Sequence, residues 1–190
     1  SDLHMNPDIP IWLGTGMEST VRLTAEIADG WLPLGLVPET YEIYQPWIEE
    51  GLAKAGKDRS QFDAQGGGAV IVTDDVQSAL NRLKPNIALY VGGMGHKNKN
   101  FHKEMMIRRG YGEAADRIQE LYLAKHKREA IEAVPDEFVD QGALIGDRAR
   151  IQKRFRDWED SGITGFTVSG NEEALRLMAE LARLNVDPAS

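Results

Sequence analysis

The residues best able to do chemistry form a short glycine turn near the start of the chain. An apolar run ends at Gly14, and a helix-forming segment begins directly after the turn. A glycine turn that leads into a helix presents backbone N–H groups and the positive end of the helix dipole to an anion, usually a phosphate. The first candidates for a ligand site are therefore Gly14, Thr15, Gly16, Met17 and Glu18.

The same turn also has a purely structural interpretation. Thr15 and Glu18 fit a capping box, in which a threonine begins the helix and a glutamate follows three residues later. Glu18 would in addition place a negative charge at the end of the helix where an anion would bind. The residues by themselves leave phosphate binding and helix capping as open alternatives.

A second candidate site is a basic stretch in the middle of the chain. Residues 97–109 hold five basic side chains and one acidic side chain, Glu104, in a protein of net charge −8. This stretch follows a glycine-rich segment, so it could hold a phosphate or carboxylate group. A solvated loop and helix surface explains the same charges. The candidate anion-binding residues are Lys97, Lys99, Lys103 and Arg108.

Other kinds of site find little support. The histidines His96, His102 and His126 do not have the spacing of metal ligands, and the chain has no cysteine. Thr73-Asp74-Asp75 is typical of a helix cap rather than a metal site. We therefore predict no metal, and the catalytic residues remain unknown because no acid–base pair can be assigned.

Composition restricts the partners. The chain has 190 residues, enough for one domain with a real core, and 42% of them are hydrophobic. Its acidity argues against nucleic acid and anionic membrane surfaces as partners. No apolar run approaches the roughly 20 residues that cross a bilayer. The expectation is a cytoplasmic protein whose partners are small molecules.

Strands and helices alternate along most of the chain. Strands are predicted at 9–13, 31–34, 69–72 and 165–168, with a less regular one at 143–145, and helices follow them. Residues 92–141 form a helix-rich insertion, with helices predicted at 102–109, 113–124, 127–133 and 135–141. This pattern predicts an α/β fold with a mostly parallel sheet, in one domain over 1–190. Five strands cannot close an eight-stranded barrel, so the sheet is either open or about half of a barrel.

The sequence IPIWLGTGMESTVRLTAEIADGWLP resembles the strand, phosphate loop, helix and second strand of the bacterial luciferase-like monooxygenase superfamily. The resemblance continues in ALYVGGMGHKNKNF, GYGEAADRIQELYL, AVPDEFVD and LIGDRARIQKRFRDWEDSGITGFTV. Together these segments resemble the deazaflavin-dependent branch, which is related to methylene-tetrahydromethanopterin reductase. The resemblance covers almost all of residues 9–184.

The resemblance implies the C-terminal part of a TIM (β/α)8 barrel. It implies that Gly14 to Glu18 wrap the phosphate of a cofactor, the deazaflavin coenzyme F-420 or alternatively FMN. The implied activity is hydride transfer between that cofactor and an unknown organic substrate. The family's N-terminal strands have no counterpart here, so the expected partner is a complementing N-terminal half or a second copy in a homo-oligomer. The alternatives are an FMN-dependent monooxygenase fragment and a catalytically silent half-barrel or assembly module.

Overall fold

The computed structural model describes residues 8–95 and 99–183. Five strands and nine α-helices follow one another in this part of the chain. In order they are β1 (Trp12–Leu13), α1 (Glu18–Ile27), β2 (Gly30–Trp31), α2 (Tyr41–Ala55), β3 (Asp63–Val72), α3 (Val76–Gly93), α4 (Phe101–Arg108), α5 (Gly112–Leu123), α6 (Lys127–Glu132), α7 (Asp136–Gln141), β4 (Ala143–Gly146), α8 (Arg148–Glu159), β5 (Gly165–Ser169) and α9 (Glu172–Leu181). Short 3-10 helices at Pro38–Thr40 and Arg59–Gln61 flank α2.

All five strands belong to one parallel sheet. β1 pairs with β2, and β2 pairs with the first residues of β3. The middle of β3 pairs with β5, and its last four residues pair with β4. The predicted parallel sheet is therefore confirmed, including the less regular strand predicted at 143–145, which is β4.

β3 is longer than the sequence predicts, because it begins at Asp63 and includes three consecutive glycines. A Cβ atom on Gly66 would lie 2.5 Å from the indole of Trp158, and one on Gly68 would lie 2.2 Å from the carbonyl oxygen of Gly142. The prediction that these glycines precede the strand is wrong. They lie inside the strand, where glycine is needed because neighbouring groups approach the backbone too closely for a side chain.

The capping-box interpretation of α1 is also wrong. The N-cap residue is Met17, and no side chain caps the helix. The Oγ1 atom of Thr15 lies 2.8 Å from Oγ1 of Thr24 instead, and the carboxylate of Glu18 forms an ion pair with Arg22. The start of α1 is consequently left without a side-chain acceptor for its N–H groups.

α1 packs against α2 over one of three hydrophobic cores. The helix α2 contributes Tyr41, Tyr44, Ile48 and Leu52 to that core. On α1 the buried side is formed by Val21 and Ala25, while Leu23 and Ile27 are 49% and 61% exposed. The other cores lie between the insertion helices and the sheet, and between the sheet, α8 and α9.

Four helices, α4 to α7, lie between α3 and β4 and correspond closely to the helices predicted in the insertion. The limits 92–141 for the insertion and 1–190 for the domain stay predictions. In the described part of the chain, no helix is both long and apolar enough to cross a bilayer.

Candidate functional site

A cleft of about 680 Å³ opens between the β1–α1 turn and helix α4, and we call it the turn–α4 cleft. It brings together the glycine turn and the basic stretch, which the sequence singled out separately. Its lining residues are Gly14, Thr15, Gly16, Met17, Thr20, Leu34, Tyr44, Lys99, Asn100, Phe101, His102, Glu104, Met105 and Arg108.

Three consecutive carbonyl groups of the turn accept hydrogen bonds from the protein. The buried indole Nε1 of Trp31 donates to the Thr15 oxygen at 2.8 Å, and the Arg108 guanidinium donates to the Gly16 oxygen at 2.8 Å. The Met17 oxygen accepts from the first turn of α1. These bonds fix the orientation of the three peptide planes that begin the helix.

The orientation of these planes also fixes the direction of the N–H groups. In a trans peptide the N–H points away from the preceding carbonyl oxygen, so the N–H of Gly16 points away from Trp31 and the N–H of Met17 points away from Arg108. The N–H groups of Gly16, Met17 and Glu18 donate to no acceptor within residues 8–95 and 99–183. A Cβ atom added to Gly16 would meet nothing within 4 Å, so the turn is open there.

Arg108 is the cation that lies against this turn. Its Nη1 atom donates to the Gly16 carbonyl and to the hydroxyl of Tyr44, at 2.9 Å. Its guanidinium carbon lies 5.6 Å from the centre of the Tyr44 ring. Arg108 is half-buried, and in the described part of the chain its polar partners are this carbonyl and this hydroxyl, with no carboxylate. Its positive charge is therefore available to a ligand.

The other basic residues of this region have different roles. Lys103 is paired with Asp116 at 2.7 Å and does not line the cleft. Arg109 stacks on the ring of Phe138 at 3.9 Å, and burial lowers the pKa of its guanidinium to about 10. Lys99 is exposed at the cleft, while Lys97 lies outside the described residues. Lys99 and Arg108 are thus the predicted anion-binding residues that share the cleft with the glycine turn, and Arg108 contacts it directly.

Glu18 is the member of the predicted turn that does not line the cleft. Its carboxylate pairs with Arg22, which also pairs with Glu50. These contacts raise the pKa of the Arg22 guanidinium, with the hydrogen bond to Glu50 as the largest cause. The positive charge of Arg22 therefore compensates the negative charge of Glu18 outside the cleft.

Asn100 holds the other wall of the cleft, and the sequence analysis did not identify it. Its Oδ1 accepts from the backbone N–H groups of His102 and Lys103, at 2.9 and 3.0 Å. Its Nδ2 donates to the carbonyl oxygens of Tyr90 and Val91, at 2.9 and 2.8 Å. This buried amide fixes the start of α4 against the end of α3. An asparagine directly before a helix is an N-cap signal, which could have found it.

The cleft also has an apolar side, formed by Met17, Leu34, Phe101 and Met105. Phe101, Met17 and Leu34 are 60%, 55% and 50% exposed, so several exposed apolar side chains border the same cleft. An anion-attracting end and an apolar wall together suit a ligand that combines an anionic group with an apolar body. Among the described residues, no three potential metal ligands cluster.

A model of the luciferase-like monooxygenase family matches residues 2–165. The chain belongs to the luciferase-like monooxygenase family. It is 39% identical over 180 residues to a Mycobacterium tuberculosis protein named as a coenzyme F-420-dependent oxidoreductase, covering 93% of this chain and 52% of that protein. It is 26% identical to the 5,10-methylenetetrahydromethanopterin reductase of Archaeoglobus fulgidus, covering 82% of this chain and 46% of that enzyme.

The fold is similar to that of solved members with the same cofactor in their names. The coenzyme F-420-dependent tetrahydromethanopterin reductase of Methanopyrus kandleri superposes with a TM-score of 0.71 at 23% identity, over 91% of this chain and 50% of that one. A secondary alcohol dehydrogenase that depends on coenzyme F-420 superposes with a TM-score of 0.63 at 19% identity, over 88% of this chain and 46% of that one.

These similarities confirm the predicted family, its deazaflavin-dependent branch and the α/β fold that corresponds to about half of a TIM barrel with a helical insertion. The predicted cofactor agrees with the names of the relatives. The chain spans about half the length of the curated relatives it matches.

Proposed function

We propose that this chain supplies the phosphate-binding part of the cofactor site of a deazaflavin-dependent oxidoreductase. In the complete protein, hydride would pass between coenzyme F-420 and an organic substrate. The observation that carries the proposal is the contact between Arg108 and the glycine turn, in a cleft lined by Gly16 and Met17, whose N–H groups have no acceptor among the described residues. The names of the relatives supply the identity of the cofactor.

The residues of the cleft fit a phosphate ester. A phosphate needs several donors and positive potential, and the turn offers the N–H groups of residues 16–18 together with the N-terminal end of the α1 dipole. Arg108 adds a charged donor, and Lys99 adds a second positive charge at the rim. Glu104 is the negatively charged residue in the lining. Because Lys99 and Arg108 are both positive, the net charge of the cleft stays positive.

The deazaflavin ring would supply the hydride chemistry, so the task of these residues is to bind and orient the cofactor. The apolar wall of Met17, Leu34, Phe101 and Met105 would cover part of its body and exclude water there. In this proposal the insertion at 92–141 contributes α4 as one wall of the cofactor site. The substrate and the catalytic groups belong to the complete protein.

The test is an isothermal titration calorimetry experiment in which coenzyme F-420, FMN and inorganic phosphate are each titrated into the protein. We expect coenzyme F-420 to bind, and phosphate to compete with it because both need the same N–H groups and Arg108. Binding of FMN without binding of coenzyme F-420 would assign the protein to an FMN-dependent monooxygenase instead. Binding of neither cofactor would contradict a cofactor site in this chain.

A second candidate function is assembly, and the exposed edge of the sheet favours it. β1 pairs only with β2 among the described strands, and the apolar side chains of Ile9, Ile11 and Trp12 beside its outer edge are 40–56% exposed. An apolar strand edge recruits another strand, here from an N-terminal half or from a second copy. Sedimentation tests this candidate, because a stable monomer at high concentration would contradict self-pairing.

A further inference from the structure

His102 occupies the end of the cleft away from the turn. The cleft-lining residues of α4 are Phe101, His102, Glu104, Met105 and Arg108. Six residues separate His102 from Arg108, which corresponds to about 9 Å along the helix axis. A ligand that lies along α4 from Arg108 therefore passes Met105 and Glu104 before it reaches His102.

The imidazole of His102 is held in place by a ring contact and makes no polar contact with the described residues. Its ring stacks on Tyr90, with the ring centres 4.5 Å apart, and its backbone N–H is bonded to Asn100. Neither ring nitrogen forms a hydrogen bond with the described residues. The side chain is half-buried, and His102 is one of the residues that line the cleft.

The protonation state of the ring suits a hydrogen bond to a neutral group. Burial lowers the pKa of the His102 imidazole below its ordinary value, so the ring is neutral near pH 7 and has one donor and one acceptor nitrogen. The aromatic neighbour on α3 is Tyr90. The charged residues of the cleft are Lys99, Glu104 and Arg108, and on α4 the adjacent Lys103 is already paired with Asp116.

We propose that His102 is the second polar anchor of the turn–α4 cleft, where its imidazole hydrogen-bonds a polar group of the ligand about 9 Å from the ligand's anionic group. The cleft then selects an elongated phosphate ester with an apolar part that packs against Met105 and a hydrogen-bonding group at the far end. This inference rests on the proposed function, because Arg108 and the turn must hold the anionic end. His102 acts here as a specificity-determining residue.

The experiment follows the ring of His102 by NMR in the wild-type protein during titration with coenzyme F-420 and, separately, with inorganic phosphate. We expect the imidazole signals to shift with coenzyme F-420 and to stay in place with phosphate, which is too short to reach both ends of the cleft. The dissociation constant for coenzyme F-420 should rise about tenfold in His102→Phe and less than about threefold in His102→Gln, which keeps a donor and an acceptor.

His126→Phe is the matched control, because His126 is exposed, pairs with Glu129 and lies outside the cleft. The affinity for phosphate should be the same in all these variants. Unshifted His102 signals with bound coenzyme F-420, or equal coenzyme affinity in His102→Phe and His126→Phe, would overturn the inference and leave the proposed function in place. A wild-type protein that binds phosphate but no coenzyme F-420 would overturn both.

Discussion

The Nη1 atom of Arg108 lies 2.8 Å from the carbonyl oxygen of Gly16, although 92 positions separate the two residues in the sequence. This hydrogen bond joins the insertion helix α4 to the turn between β1 and α1. It also places an arginine without a carboxylate partner, among the described residues, beside a turn whose N–H groups lack an acceptor there. The bond joins two separate sequence features at one cleft, which the proposed function assigns to an anion.

Replacement of Arg108 by glutamine should weaken the binding of coenzyme F-420 and of phosphate by about ten- to a hundredfold. A hydrogen bond to a charged group contributes about 1.5–3 kcal/mol, and glutamine removes the charge. Fluorescence titration measures the effect. Arg117→Gln removes the same charge from the exposed surface of α5, where Arg117 pairs with Glu120. Equal affinities in the two variants would exclude a direct role for Arg108.

Replacement of Gly16 by alanine should leave the fold intact and weaken ligand binding. A Cβ atom at this position meets nothing within 4 Å, so the free energy of unfolding should change by no more than about 0.5 kcal/mol. The added methyl group stands at the open side of the turn, where it would keep an anion from the N–H groups. Urea unfolding together with a phosphate titration measures both effects. Unchanged phosphate affinity would show that the anion binds elsewhere.

Replacement of Gly68 by alanine should destabilise the protein by about 1–3 kcal/mol, the usual cost of overpacking. The new Cβ atom would lie 2.2 Å from the carbonyl oxygen of Gly142, which is backbone and cannot rotate away. The free energy of unfolding in urea measures this, with Gly16→Ala as the control that adds the same methyl group in open space. A Gly68→Ala protein as stable as this control would contradict the close approach of the two segments.

The stability of the protein should fall below about pH 6.5 in a manner that depends on His102. Burial lowers the pKa of the folded imidazole from its ordinary value of 6.5, so the unfolded chain takes up a proton at a higher pH. The free energy of unfolding therefore decreases as the pH falls from 6.5 towards the folded pKa, and it levels off below that value.

Urea unfolding of wild type and His102→Gln at several values between about pH 7.5 and pH 5 tests this dependence. The variant should show a smaller decrease, because glutamine does not titrate. His126→Gln is the control, since it removes an exposed histidine and leaves the environment of His102 intact. An identical pH dependence in wild type and His102→Gln would contradict the burial argument.

Much of the fold could be predicted because the information is local. Glycine and proline signals separated the helices of the insertion, and Gly56 ends α2 in the left-handed conformation that glycine adopts most readily. Asp75 caps α3 through the N–H of Ser78, as the Thr73-Asp74-Asp75 pattern indicated. The alternation of strands and helices was sufficient for a parallel sheet.

The errors arose where a distant segment decided the outcome. The start of β3 was predicted six residues too late, because Trp158 and Gly142 make side chains impossible at Gly66 and Gly68. The capping box at Thr15 looked complete in the sequence, yet the Thr15 carbonyl is held by Trp31 and its hydroxyl by Thr24. Local preferences were overruled there by close packing and by hydrogen bonds over long sequence distances.

The sequence by itself determined the family, the succession of elements and the two stretches that could bind an anion. Only the tertiary structure decided that these stretches share one cleft, that Lys103 and Arg109 are engaged elsewhere, and that His102 faces the same cleft as Arg108. The physical reason is that charge and helix propensity are properties of a segment. The partner of each charge depends instead on how α3, α4 and the β1–α1 turn pack together in space.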